Sequence, residues 1–213
     1  MTGAAPPPDD GHGRVAGPFP ERVDAGAVAC RRVRPDDAGP LLEAVTASLD
    51  HLRPWMPWVA DGYSAGMADA FVAAASDRPD PDLAYAVLAG SDRLVGVCGL
   101  HDRLGPGRLE IGYWVDVAHT GRGIATLAAA LLSEVALGPA GAEAVEIHHD
   151  RANRRSARIP ARLGYERVGA ATVAVTAPGE VGVEWRWRMT AEAWERSPGA
   201  RILADARTAA RPG

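Results

Sequence analysis

The run Thr120-Gly121-Arg122-Gly123-Ile124-Ala125 joins an apolar alternating segment to a helical one. Glycines let the backbone approach a ligand closely, and the first N–H groups of a helix, at the positive end of its dipole, form a site for phosphate. A diphosphate suits such a turn, although an ordinary strand-to-helix connection would use the same residues. Two nucleotide-binding patterns are absent: no GxGxxG follows a first strand, and there is no GxxxxGK[ST] loop. The second group is Asn153-Arg154-Arg155-Ser156, which opens a helix after the next strand. Asn153 has the chemistry of a helix cap, and Ser156 brings a hydroxyl. The third is Glu110, which stands off the apolar row Leu109, Ile111, Tyr113, Val115 and Val117 and is free to act on protons or cations. His148 and His149 are neighbours on one strand, so they point to opposite faces. No other ligand has metal spacing, and no metal is expected.

The elements that position these residues follow from periodicity. VACRRV (28–33) reads as a strand, and Asp36 and Asp37 are placed to cap a helix whose apolar positions are Leu41, Leu42, Val45, Leu49 and Leu52. HLRPWMPW (51–58) ends it, and a second helix covers about 65–75. Strands at 83–90 and 93–100 are separated only by Ser91-Asp92, a hairpin signal. A strand at 108–117, a helix from Ile124 to the stop at Gly138-Pro139, a strand at 144–149, a short helix from Asn153 to Gly164, and β runs at 165–176 and 181–190 complete the domain. In the last run Val181, Val183, Trp185, Trp187 and Met189 mark the buried face. The expected class is α+β, with a mixed, mostly antiparallel sheet, helices on both faces and one β-α-β crossover.

Around this core, residues 1–24 are rich in Pro, Gly and Asp and read as a disordered tail; 25–196 form the domain, and 197–213 read as a C-terminal tail. A net charge of -4 provides no basic field, which argues against nucleic acid as a partner. There is no signal-type N-terminus and no run of 18 apolar residues, so the expectation is a cytoplasmic protein without membrane association. Cys30 and Cys98 lack paired spacing and read as reduced core residues.

Taken together, LEIGYWVDVAHTGRGIATLAAALLSEV and IHHDRANRRSARIPARLGYERVG resemble the GNAT superfamily of acyl-CoA N-acyltransferases. HLRPWMPW, EIGYW, NxxS and EWRWRMTAEAW are similar to its ribosomal-protein alanine N-acetyltransferase branch. The likeness spans about 28–194. It implies an enzyme that moves an acetyl group from acetyl-CoA, as co-substrate, to a primary amine on a protein N-terminus or a small molecule. It also implies that the backbone of Gly121, Arg122, Gly123, Ile124 and Ala125 holds the pyrophosphate, that Val115 and Val117 pair with the pantetheine arm, that Asn153 reaches that arm, and that Ser156 lies near the sulfur. Thr120 stands where the family usually has Gln or Arg, and Pro160 interrupts a helix that the family usually keeps regular.

For the chemistry, Glu110 is the candidate to receive the amine proton or to bind the substrate ammonium, and Ser156 the candidate donor to the leaving thiolate, with Tyr165 or water in reserve. Trp55, Met56 and Trp58 either wall the acceptor site or plug the space between two helices. A longer donor such as succinyl-CoA, a non-catalytic CoA-binding module and a homodimer remain open alternatives.

Overall fold

The computed structural model describes residues 15–77 and 81–210. The elements in chain order are β1 (Arg22–Ala25), β2 (Val28–Arg32), α1 (Ala38–Ala47), α2 (Leu49–Leu52), α3 (Ala65–Ser76), β3 (Leu83–Ala89), β4 (Arg93–His101) and β5 (Arg108–Val115). They continue with α4 (Ile124–Leu137), β6 (Ala144–Asp150), α5 (Arg154–Leu163), β7 (Glu166–Thr172), β8 (Val183–Thr190), α6 (Ala191–Trp194) and α7 (Pro198–Ala209). The eight strands form one sheet in the order β1-β2-β3-β4-β5-β6-β8-β7. Every neighbouring pair is antiparallel except β5 and β6, which the α4 crossover makes parallel. The α+β expectation is met.

Alternation along the strands gives each face its own core. One face carries Tyr85, Leu100, Leu109 and Ile111 against α4 and its Ala128, Leu131, Leu132 and Val135. The other carries Ala84, Ala86 and Val97 against Leu41, Val45, Ala68 and Val72 of α1 and α3. Cys30 and Cys98 are free thiols inside the first core, and burial pushes the Cys30 thiol up to about 12.

Four expectations need correction. The helix expected to run from the Asp36-Asp37 cap through Leu52 is broken at Ser48, whose N–H closes a tight turn on the Val45 carbonyl while its buried hydroxyl accepts from Val117. The strand expected to reach 117 ends at Val115, because the Asp116 carboxylate accepts from the His119 N–H and turns the chain into a short 3-10 segment at Val117–His119. Val117 is therefore off the strand and 43% exposed. Val181 precedes β8 and is also exposed, so the buried face of that strand is carried mainly by Met189.

The fourth correction concerns the ends. Residues 1–14 and 211–213 lie outside the described residues, but the rest of both expected tails is folded. Val15 and Phe19 are buried, β1 pairs with β2, and the Tyr85 hydroxyl donates to the Pro20 carbonyl. At the other end, Ser197 caps α7 by accepting from the Ala200 N–H, and Pro198 sits in its first turn, where no N–H is needed. Leu203 is fully buried, and Arg207 binds both carboxylate oxygens of Glu134 on α4 and donates to the Asp24 carbonyl of β1. The two ends thus fold onto α4 and onto each other. Leu203→Ala is expected to lower stability by about 2–5 kcal/mol, the usual range for a fully buried leucine, in a denaturant titration. A loss under 0.5 kcal/mol would mean that α7 does not contribute to the cooperative unit.

Candidate active site

The parallel ladder of β5 and β6 pairs Arg108 with Ala144, Leu109 with Val145 and Glu110 with Glu146, and then stops. Beyond it, β5 stays paired with β4 as far as Val115, and β6 stays paired with β8 as far as Asp150. The two strands therefore diverge into a wedge whose apex is Glu110. A cleft of about 1280 Å³ fills this wedge and continues to the aromatic segment 55–58.

At its far end lies the glycine turn. Gly121 and Gly123 have φ of 75° and 78°, and a Cβ on either would meet nothing within 4 Å. Both glycines are there for the left-handed backbone and open access, not for packing. Gly123 is the N-cap of α4 with no side-chain cap and no acidic residue in the first turn, so the first-turn N–H groups have no side-chain acceptor. Gly121, Gly123, Ile124 and Ala125 line the cleft, whereas the exposed Arg122 side chain does not. Thr120 turns its hydroxyl back to the Val117 carbonyl. Val115 lines the cleft, but the Val117 N–H is committed to Ser48 Oγ at 2.9 Å, and Val117 lies away from the cleft.

From α5, Asn153 and Ser156 face the wedge. Asn153 Oδ1 accepts the Ser156 N–H at 3.1 Å as a helix cap, which leaves only its amide protons for a ligand. Ser156 Oγ lies 3.0 Å from the Tyr113 hydroxyl. Pro160 does not break α5: having no N–H for the Ser156 carbonyl, it leaves that oxygen to accept from Tyr113 at 3.4 Å. Burial raises the Tyr113 phenol well above its ordinary value, and the Ser156 hydrogen bond offsets only part of this. Tyr165 is elsewhere, its hydroxyl 2.6 Å from Ser133 Oγ inside the α4 core, so it is no proton donor to this cleft. Arg155, Arg158 and Arg162 present a basic flank, and among the described residues none has a carboxylate partner. The steps of three residues from Arg155 to Arg158 and four from Arg158 to Arg162 are the sequence signal that puts them on one helix face.

At the apex, the buried Glu110 is met by the exposed Arg103, whose Nε donates to Oε2 at 2.7 Å and whose Nη2 donates to Oε1. His148 sits behind it, with Nε2 2.6 Å from Glu146 Oε2 and Nδ1 3.6 Å from Glu110 Oε2 and 3.5 Å from Glu184 Oε1. Burial alone would raise the Glu146 carboxyl, but hydrogen bonds from His148 and Arg188 outweigh it and hold Glu146 below the usual carboxylate value. His149 points the other way, accepts from Trp187 Nε1–H at 3.0 Å, and is lowered chiefly by burial. Among the described residues, no group of three His, Cys, Asp or Glu is arranged to hold a metal ion, and no helix is long and apolar enough to cross a membrane.

The aromatic segment supplies the remaining wall. Trp55, Met56 and Trp58 all line the cleft, while Met56 also packs on the α1–α3 core, so wall and plug coincide. Trp58 meets Tyr63 edge to face at 5.6 Å and Trp114 at 6.2 Å. Opposite them, the loop 173–182 is anchored by Asp150, which accepts from the Val181 and Val183 N–H groups, and bridges to the aromatic segment where the Gly179 N–H donates to the Pro54 carbonyl at 2.9 Å. A Cβ at Gly179 would lie 2.6 Å from the Pro54 oxygen. Gly179→Val is therefore expected to part this bridge and speed amide exchange at that position at least about tenfold relative to the sheet. Unchanged protection would mean that the bridge does not hold the loop.

The chain matches the acetyltransferase (GNAT) domain family over residues 28–166. No curated protein sequence matches it. Among solved structures, Mycobacterium smegmatis RimJ in complex with CoA-disulfide superimposes with a TM-score of 0.78 at 23% identity, covering 89% of this chain and 96% of that one. RimL, a ribosomal L7/L12 alpha-N-protein acetyltransferase in complex with coenzyme A, gives 0.73 at 16%, covering 80% and 98%. The microcin C7 self-immunity acetyltransferase MccE, in complex with acetyl-CoA and AMP, gives 0.69 at 17%, covering 79% and 97%. With the family match spanning most of a chain whose sheet divides at β5 and β6, the protein belongs to the GNAT acetyltransferase family.

Proposed function

We propose that this enzyme transfers an acetyl group from acetyl-CoA to a primary amine, carried either on a protein N-terminus or on a small molecule. The observation that carries this reading is the wedge between β5 and β6, which joins an anion-binding turn to a hydroxyl pair and an aromatic wall in one cleft. A strand edge left unpaired inside a fold needs hydrogen-bond partners, and the amide groups of a pantetheine arm supply them. CoA or acetyl-CoA in the RimJ, RimL and MccE structures supports the donor, and the alpha-N-protein acetyltransferase RimL supports an N-terminal amine as acceptor.

The roles follow from the geometry. The backbone of Gly121 to Ala125 meets the pyrophosphate, with Arg155, Arg158 and Arg162 adding charge, and Val115 and the amide of Asn153 meet the pantetheine. Val117, committed to Ser48, serves by holding the end of the strand. At the thioester, the amine nitrogen attacks the carbonyl carbon, the C–S bond breaks, and the thiolate takes a proton. Ser156 is the nearer donor, and the Tyr113 phenol, un-ionised at neutral pH, restores the serine proton. Glu110, its oxygens engaged by Arg103, sets the negative potential at the apex, while Trp55 and Trp58 wall the acceptor.

Thiol release from acetyl-CoA, followed across peptide and small-molecule amines, tests the activity; CoA binding without release for any amine would sink it. Two variants probe the parts. Replacing Arg158 and Arg162 together with Ala should weaken CoA at least about tenfold and flatten the salt dependence of binding, since exposed charges act through a screened field. An unchanged affinity would place the phosphates elsewhere. Ser156→Ala should lower kcat by about tenfold to a hundredfold across the pH range with CoA affinity kept, the low end of general acid catalysis because a thiolate leaves tolerably well. Unaltered kcat would remove the serine from the mechanism.

A further inference from the structure

The apex of the wedge holds more proton-handling groups than the reaction uses so far. His148 has a side chain only 9% exposed and lines the cleft beside Glu110. Its Nε2 is 2.6 Å from Glu146 Oε2, and Glu146 is held in its ionised form, so that carboxylate accepts and Nε2 carries the proton. Nδ1 then faces Glu110 at 3.6 Å and Glu184 at 3.5 Å and makes no hydrogen bond to either among the described residues.

The charged groups around the ring come from every strand that meets there. Glu110 on β5 is paired with Arg103 from the preceding loop. Glu146 on β6 is paired with Arg188 on β8 and lies 3.7 Å from Arg108 on β5. Glu184 on β8 is paired with Arg186. Each carboxylate thus has its own arginine, and charge balance does not require an imidazolium. His149 and Asp150 follow on β6, with His149 turned to Trp187 on the other face. Glu110 has both oxygens occupied by Arg103, which leaves the adjacent Nδ1 as the unengaged base at the apex.

We infer that His148, held in its Nε2–H form by Glu146, is the general base that takes the proton of the attacking amine. This rests on the acyl-transfer reading above. An ammonium acceptor loses two protons overall: one reaches solvent before attack, and the other leaves nitrogen as the C–N bond forms and the C–S bond breaks. Nδ1 takes the latter, and the imidazolium faces three carboxylates until the partly exposed Glu184 returns the proton to solvent. The sulfur receives its proton from the Ser156 side, and solvent repays that proton to the Ser156–Tyr113 pair, so of the two protons the ammonium loses one is taken up again and the net products are amide, CoA thiol and one released proton. His148 is the base, and Glu146 is a positioning residue.

The test uses the full chain with acetyl-CoA and two probes, 2-phenylethylamine and a peptide with an N-terminal alanine. His148→Asn should lower kcat/KM about a hundredfold near pH 7, abolish the fall of kcat/KM on the acid side, and recover part of the rate at high pH, while CoA binding by calorimetry stays within about twofold. Glu146→Gln should shift that acid limb without removing it, a change that a purely structural role would not produce. Histidine-labelled 15N spectra of the unliganded protein give an independent readout and should find His148 as the Nε2–H tautomer at pH 7.5. An unchanged pH profile in His148→Asn, or a His148 that carries its proton on Nδ1, would overturn the assignment. Wild-type protein that binds CoA but acetylates neither probe would overturn the acyl-transfer reading itself for these acceptors, and the base with it.

Discussion

A sheet that parts in its middle must satisfy two strands at once, and the rest of this molecule depends on how that is done. The β5–β6 ladder ends at Glu110 and Glu146, yet neither strand frays, because each keeps a continuous antiparallel partner on its other side, β4 and β8. The split is flanked by α4 and α5, the helices that follow β5 and β6. One end of the wedge therefore faces a helix N-terminus and the other a ring of side chains from three strands. The exposed backbone edges between them suit an extended ligand with amide groups.

Charge is arranged along the same axis. The chain carries a net charge of -4, which argues against nucleic acid as a partner, but the average hides a local division. α5 bears Arg154, Arg155, Arg158 and Arg162 with no acidic residue, whereas the apex gathers Glu110, Glu146 and Glu184. Each apex carboxylate is paired with an arginine, whereas Arg155, Arg158 and Arg162 have no carboxylate partner among the described residues, so the unbalanced local charge is the positive one on α5.

Much of this was legible in the residues, and the unreadable parts share one cause. The Leu109-to-Val115 alternation located β5 and placed Glu110 off its apolar row, and the glycines at 121 and 123 located the turn, because both signals are local. β1 and α7 were unreadable because their stabilising partners are remote: Leu203 is buried only once α4 is in place, and Arg207 must find Glu134 and Asp24. Val117 fell on the period of its strand, but Asp116 capped the next turn and ended it. In the sequence His148 and His149 stand as neighbours on opposite faces of one strand, with no metal spacing to either. The importance of His148 lies in Glu146, two residues earlier on the same face, and in carboxylates from β5 and β8 that no spacing along one strand reveals.

Pro160 shows how a local fault in one element becomes a resource for another. A proline in the interior of a helix normally leaves the carbonyl four residues earlier without its donor, at a cost of about 3 kcal/mol or more. Here that carbonyl belongs to Ser156, the residue whose hydroxyl faces the cleft, and Tyr113 from β5 donates to it from across the wedge. The helix keeps its course, Ser156 is tied to the strand that carries the apex, and the phenol contacts the serine at both backbone and side chain. A regular helix would have closed the carbonyl internally and left Tyr113 only the mobile hydroxyl to bind. The departure in sequence thus ties Ser156 to the strand by a second contact that a regular helix would not offer.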